Sequence, residues 1–239
     1  MGPNAKSNYS QAKELKSPDI PFEIIDLKIE SMNLQLAQPV DPDKLFEDLL
    51  KKDSMHDDIR DERIPYWGEL WPSALGLSEF MVKNPELLEG RNILEIGCGL
   101  GLPGIVAGKL GGKVTMTDYI QEAVDFAAYN WSLNSDDDCV SYLLDWRNPK
   151  VDAKADVLLA SDLAYESRSF ESLNASFKRV LKEDGIILLS EPNRMFASLF
   201  FDLLKKEGYA ISRDIIPVQL KRMSHSISVY CLSGPAAGN

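Results

Sequence analysis

Asn92-Ile93-Leu94-Glu95-Ile96-Gly97-Cys98-Gly99-Leu100-Gly101-Leu102-Pro103-Gly104 decides the fold. A short apolar run of strand length gives way to glycines at every second position and then to the opening of a helix. Glycine lets the backbone turn sharply and come close to a ligand, and the first turn of a helix offers N–H groups with no partner inside the helix. Gly97-Cys98-Gly99-Leu100-Gly101 is spaced G-x-G-x-G, not the G-x-G-x-x-G that suits a dinucleotide pyrophosphate, and Glu95 stands two residues ahead of it. Asp118 closes the next apolar strand, where a carboxylate can accept from both hydroxyls of a ribose.

From this turn onward, short apolar runs alternate with helical ones, the pattern of βαβ units on a parallel sheet. Strands are predicted at Asn92–Ile96, Lys113–Asp118, Ser141–Asp145, Asp156–Ser161 and Gly185–Glu191, and two more at Tyr209–Ile216 and Ser226–Leu232. Helices are predicted near Gly104–Leu110, Ile120–Asn134, Arg168–Leu181 and Arg194–Glu207. Runs such as Val157-Leu158-Leu159-Ala160 have the continuous apolarity of strands covered on both faces. The fold class is therefore α/β, a doubly wound, mostly parallel seven-stranded Rossmann-like sheet behind an N-terminal strand and helix extension.

Toward the N-terminus, residues 1–20 read as a flexible leader and residues 21–64 as the extension. The extension holds one or two strands in Phe22–Pro39, a helix from Asp43 capped by Asp41, and a charged loop over Asp53–Arg63. Residues 65–239 form the main domain, entered through Pro65-Tyr66-Trp67-Gly68-Glu69-Leu70-Trp71-Pro72, with a helix that ends before Pro85.

The chain has 239 residues with 37 acidic against 26 basic, a net charge of −11 that disfavours nucleic acid as a partner. Cys98, Cys139 and Cys231 are an odd count without metal-ligand spacing, so no metal site and a reducing cytoplasm are expected. No window has the 18 apolar residues of a membrane span, and a monomer is expected. His56 and His225 are the only histidines, and both read as surface-loop residues.

The strand, the E-x-G-x-G-x-G turn, the helix and the second acidic strand end resemble, in that order, the seven-strand class I S-adenosylmethionine methyltransferases. The resemblance covers roughly Pro65 to Leu232. It implies a cofactor whose methionine part lies near Glu95 and Gly97, with Cys98, Gly99 and Gly101 in the same turn, the ribose on Asp118, and Tyr119 beside the adenine. Asp145 and Trp146, after the third strand, match an acidic position many of these enzymes use for adenine; a surface aspartate beside a half-buried tryptophan is the equal alternative. At the fourth strand end, Ala160-Ser161-Asp162-Leu163-Ala164-Tyr165 contains a D-x-x-Y that resembles the family 16 group, many of which are protein-lysine methyltransferases. The aromatic Trp71-Pro72-Ser73-Ala74 segment and Gly101-Leu102-Pro103-Gly104 are similar to theirs.

That resemblance implies methyl transfer to a protein lysine or a small-molecule acceptor. Asp162 and Tyr165 are then the catalytic pair, Ser161 a cofactor neighbour, Trp67 and Trp71 walls of the channel, and Asn193 and Arg194 substrate contacts. For Trp67 and Trp71, a helix face packed in the core is the competing reading. The glycine turn also admits a nicotinamide-dependent oxidoreductase or a non-catalytic binding module.

Overall fold

The computed structural model describes residues 17–51, 53, 59 and 64–234. Strands β1 (Phe22–Ile29) and β2 (Met32–Pro39) form an antiparallel hairpin, followed by α1 (Pro42–Leu50), whose first turn is capped by Asp41. Then come α2 (Pro72–Lys83), β3 (Asn92–Ile96), α3 (Leu102–Lys109), β4 (Lys113–Asp118), α4 (Gln121–Ser132), β5 (Val140–Leu143) and β6 (Ala155–Ser161). The chain continues through α5 (Phe170–Val180), β7 (Leu181–Glu191), α6 (Ala197–Lys206), β8 (Ala210–Leu220) and β9 (Met223–Ser233). The leader falls largely, and the Asp53–Arg63 loop mostly, outside the described residues, as does His56.

Seven strands form one sheet in the order β5-β4-β3-β6-β7-β9-β8, parallel from β5 to β7 and antiparallel beyond. Successive side chains on a strand point to opposite faces, and here both faces are dry. Val157 and Leu159 face a core with α2, α3 and α4, while Leu158 and Ala160 face a second core with α5 and α6. Strand order reverses between β3 and β6, so ligand is expected at the carboxyl ends of those two strands.

The hairpin is pinned to α4 by two asparagines one turn apart. Asn130 accepts from Ala37 N at 2.6 Å and donates to Ala37 O at 3.0 Å; Asn134 repeats the pattern on Gln35 at 2.9 and 2.7 Å. Their side-chain amides take the place of a neighbouring strand along the free edge of β2. Asn130 also donates to Leu100 O at 2.9 Å, which ties the hairpin to the glycine turn.

Three boundaries differ from the expectation. β8 runs through Pro217 because it is the edge strand, where a missing N–H breaks no ladder, and β8 and β9 meet in a two-residue turn with Lys221 and Arg222 at positive φ. β7 starts at Leu181, directly after α5, with an irregular register between Ala155 and Val157. β5 ends at Leu143, which leaves Asp145 past the strand. His225 lies within β9, half-buried and paired with Val218, not in a surface loop.

Candidate active site

The glycine turn leaves β3 with Gly97, Gly99 and Gly101 at φ of 61°, 51° and 80°. All three are left-handed, which a side chain would strain. Space is also restricted: a Cβ on Gly97 would come within 2.6 Å of Leu163, and one on Gly101 within 3.0 Å of both Ala127 and Met116. Gly99 lies against the backbone of Trp67, whose carbonyl would be 3.4 Å from a Cβ there. The turn is therefore covered by the aromatic segment on one side and by the end of β6 on the other.

Two carboxylates are buried beneath it. Glu95, 1% exposed, accepts from Gly104 N at 3.0 Å and so caps α3, whose own N-cap residue, Gly101, has no side chain to do so. Burial raises its carboxyl to about 8, opposed by the Gly104 bond, with Asp118 adding to the rise. Asp118 accepts from Gly99 N at 3.0 Å and Ile120 N at 3.1 Å, and burial lifts it to about 6. Neither carboxylate has an ion-pair partner among the described residues. Asp118 also accepts from the Tyr119 N–H, and beside these three backbone bonds it keeps acceptor capacity for one more donor, so a ligand with hydroxyl donors suits this end of the site. Glu95 faces the helix it caps, a role the sequence reading did not include. Burial, with Asp118 and Glu95 nearby, pushes the Cys98 thiol up, which leaves it a packing residue and not a nucleophile.

Beyond Asp118 a cleft of about 300 Å³ is lined by Pro65, Trp67, Tyr119, Ile120 and Leu143, with Leu45 and Leu49 of α1 closing it. The Arg147 guanidinium lies over the Tyr119 ring at 5.6 Å and makes a forked pair with Asp145 at 2.7 to 3.0 Å. Asp145 thus adjoins the cleft through Arg147. Trp146 turns the other way, 8% exposed within the α5–α6 core beside Leu144. A larger groove of about 870 Å³ opens at the amino ends of the strands, lined by Lys109, Lys113 and Lys154 among others, away from the glycine turn.

The carboxyl ends of β6 and β7 hold a different network. Asp162 has a φ of 58° and donates its N–H to Ser190 O at 2.9 Å. One of its oxygens pairs with Arg194 and the other accepts from Ser73 Oγ at 3.3 Å. Ser190 Oγ donates to Ser73 O at 2.9 Å and lies 3.3 Å from Ser161 Oγ. Ser161 therefore belongs to this network and not to the glycine turn. Asn193, at φ 65°, donates to Ser226 O at 2.6 Å and accepts from Ser228 Oγ at 2.6 Å and Arg213 at 2.7 Å. Its side chain is committed to β8 and β9, so of the two substrate-contact candidates only Arg194 turns to Asp162.

Tyr165 joins the two halves. Burial, with smaller contributions from Glu166, Tyr66 and Asp118, raises its phenol, which stays a protonated donor at neutral pH. Its ring meets that of Tyr66 at 6.0 Å, and Tyr66 meets Trp71 at 6.0 Å while accepting the Trp71 indole N–H at 2.7 Å. Trp67 and Trp71 therefore separate: Trp67 is buried on Phe126 at 5.4 Å behind the turn, and Trp71 stands with Tyr66 and Tyr165 on the β6 side. Sequence reading missed Tyr66, Ser73 and Leu163. Tyr66 and Leu163 lie next to residues it singled out and Ser73 two positions from Trp71, and the contact that matters is with a segment distant in the chain, which periodicity does not report.

This arrangement is a class I methyltransferase fold. A putative RNA methyltransferase from Pyrococcus horikoshii superposes with a TM-score of 0.57 at 15% identity, over 83% of this chain and 98% of that one. Magnesium protoporphyrin IX methyltransferase from Synechocystis PCC 6803, solved with bound SAH, gives 0.53 at 13%, over 82% and 95%. Within that class, residues 55–207 match the family model described as lysine methyltransferase, and the chain belongs to that family. Protein-lysine N-methyltransferase rrg1 of Schizosaccharomyces pombe is 34% identical over 52% of this chain and 46% of its own length. Histone-arginine methyltransferase METTL23 of Rattus norvegicus is 31% identical over 47% and 53%. The chain spans about half the length of the curated relatives it matches.

Proposed function

We propose that the chain is an S-adenosylmethionine-dependent methyltransferase that methylates a lysine amine of a protein. The observation that carries this is the pairing of two environments across one crevice. Glycines, a buried carboxyl at Glu95 and the buried Asp118 carboxylate lie at the β3 and β4 ends, and an ion-pairing aspartate with an aromatic wall lies at the β6 end. The cofactor supplies a methyl group already activated on a sulfonium. The Asp118 carboxylate is placed to accept from ribose hydroxyls, the glycine turn to admit the amino-acid part, and the Trp67–Tyr119 cleft to take the flat base. Asp162 orients the acceptor's ammonium and takes up the proton it sheds, which leaves a neutral amine with a free lone pair for the methyl group; Tyr165, with Tyr66 and Trp71, forms the aromatic wall beside it. Relatives named for lysine methylation, together with the family, support a protein acceptor.

The net charge of −11 favours a basic protein partner over nucleic acid. No helix among the described residues is long and apolar enough to cross a membrane. We place the chain in the cytoplasm, a reading supported by its three free cysteines, and take it to act as a monomer. Residues 65–239 serve as the catalytic domain, and residues 21–64 as an extension whose α1 closes the base cleft.

Calorimetric titration with S-adenosylhomocysteine tests the cofactor half. Asp118→Ala is expected to weaken binding by about 100-fold, the loss of a charged hydrogen-bond acceptor worth about 2–3 kcal/mol. Radiolabelled transfer into lysate protein, with methyl-lysine recovered on hydrolysis, tests the acceptor half. Absence of binding by the unsubstituted chain overturns the proposal.

A further inference from the structure

We infer that Arg194 is a specificity-determining residue: its guanidinium occupies, on Asp162, the place an acceptor's cationic amine takes, so that only a competing cation is admitted. The inference rests on the reading of Asp162 as the acceptor-facing residue and adds which chemistry that residue will accept.

The geometry is a sheltered pair on a fixed carboxylate. Asp162 sits in the left-handed region, and its N–H is anchored on Ser190. Its side chain is 12% exposed, and its two oxygens are taken by Arg194 and Ser73. Arg194 reaches it from the loop after β7. The backbone of that loop is held twice, by the Arg194 N–H on Glu191 at 2.9 Å and by the three bonds of Asn193 to β8 and β9. On its outer side the loop is closed by local bonds, Ala197 N–H on Arg194 O at 3.1 Å and Ser198 Oγ on Met195 O at 3.2 Å, and Met195, next in the chain, is 95% exposed. The backbone is thus pinned while the guanidinium is carried on a long, rotatable stem whose described side-chain partner is Asp162.

The consequence for selectivity follows from what is left behind when the guanidinium leaves. A neutral hydroxyl acceptor that pushed Arg194 aside would strand a sheltered carboxylate, and removing one member of such a pair is far costlier than exchanging it for an equivalent. An ammonium replaces the guanidinium charge for charge and restores a donor to the same oxygen. The site therefore refuses neutral O-acceptors by leaving Asp162 unpaired, and admits cationic amines at the expense of the existing pair. Reading Arg194 as a direct substrate contact gives the opposite sign, since its removal would then weaken acceptor binding.

The test uses the full chain saturated with S-adenosylhomocysteine, with n-butylammonium chloride as the bare lysine side chain. The Arg194 Nε–H resonance is assigned by its loss in Arg194→Gln or Arg194→Lys. At neutral pH, n-butylammonium is expected to shift this resonance toward that of a free guanidinium, and 1-butanol at equal concentration to leave it in place. Arg194→Gln is expected to bind n-butylammonium about tenfold more tightly. A resonance unmoved by n-butylammonium, or moved equally by 1-butanol, overturns the inference, as does unchanged or weaker binding in the variant. If that variant fails to fold, the displacement titration on the unsubstituted chain decides alone. Binding of S-adenosylhomocysteine, read in the same samples, reports separately on the proposed function: its absence removes that reading, whereas its presence with a motionless Arg194 removes only this one.

Discussion

The carboxyl ends of β3 and β6 are neighbours in the sheet, yet they solve one backbone problem in opposite ways. Both need left-handed residues to break from a strand into a ligand-facing turn. After β3 these are Gly97, Gly99 and Gly101; after β6 and β7 they are Asp162 at φ 58° and Asn193 at φ 65°. Left-handed geometry costs a non-glycine residue about 1 kcal/mol, least for Asp and Asn. After β3 a side chain would run into Leu163, the backbone of Trp67, or Ala127 and Met116, so glycine is required. After β6 and β7 the side chains themselves are used, and the strain is offset by the bonds they make to Ser73, Arg194, Ser226 and Ser228.

The most severe way to break this comparison is to put a side chain where the first turn excludes one. Gly101→Val combines a φ of 80° with a Cβ that would meet Ala127 and Met116 at 3.0 Å, both in the core between α3 and α4. A β-branched residue there is expected to cost about 3–5 kcal/mol, or about 10 °C in melting temperature, with binding of S-adenosylhomocysteine lost. Near-normal stability by calorimetry would show that the turn does not need its glycines for shape.

The same contrast explains what could be read in the sequence. The glycine turn was legible because its chemistry is local: strand, turn and helix follow one another, and glycine marks the conformation. Asp118 was legible because it closes a strand. Asp162 and Tyr165 stood out through the resemblance of their short motif, but the partners of Asp162 come from α2 and from the loop after β7, far away in the chain. No periodicity places Ser73 or Arg194 on Asp162, nor the Asn193 side chain on Ser226, Ser228 and Arg213. Glu95 was found for the cofactor, while its capping of α3 depends on a helix N-terminus, at Gly101, that lacks a capping side chain. Trp146 and His225 show the same limit: Trp146, past the end of β5, packs into the α5–α6 core, and His225 is carried into the β8–β9 ladder.

A second prediction sharpens the account of the buried acids. Burial raises Glu95 from 4.5 to about 8, so the folded chain binds a proton there more tightly than the unfolded chain does. That contribution to stability is complete below about pH 4.5 and is lost as pH rises through about 8, with a limiting slope of about 1.4 kcal/mol per pH unit. The corresponding loss at Asp118, from 3.8 to about 6, is finished before then. Urea unfolding of the ligand-free chain between pH 6 and pH 8 therefore separates Glu95 from Asp118. Glu95→Gln is expected to flatten the decline in that window while keeping a side-chain oxygen for Gly104. An equally steep decline in the variant would assign the slope to other groups.

The smallest effect tests the acceptor side, and it needs two substitutions at one position. Asn193→Gly keeps the left-handed backbone at no steric cost and removes the bonds to Ser226, Ser228 and Arg213, with an expected loss of about 1–2 kcal/mol. Asn193→Ala removes the same bonds but must hold φ 65° with a Cβ, so it is expected to lose about 1 kcal/mol more. The difference between the two measures the strain that the native side chain offsets, free of the hydrogen bonds they lose in common. Affinity for S-adenosylhomocysteine should stay level in both, because Asn193 touches β8 and β9 and not the glycine turn, while amide exchange over residues 192–196 should quicken. Equal stability of the two variants would mean that the loop relaxes out of the left-handed region once its anchor is gone. Asn193 would then select the conformation of the segment carrying Arg194 as well as holding it in place.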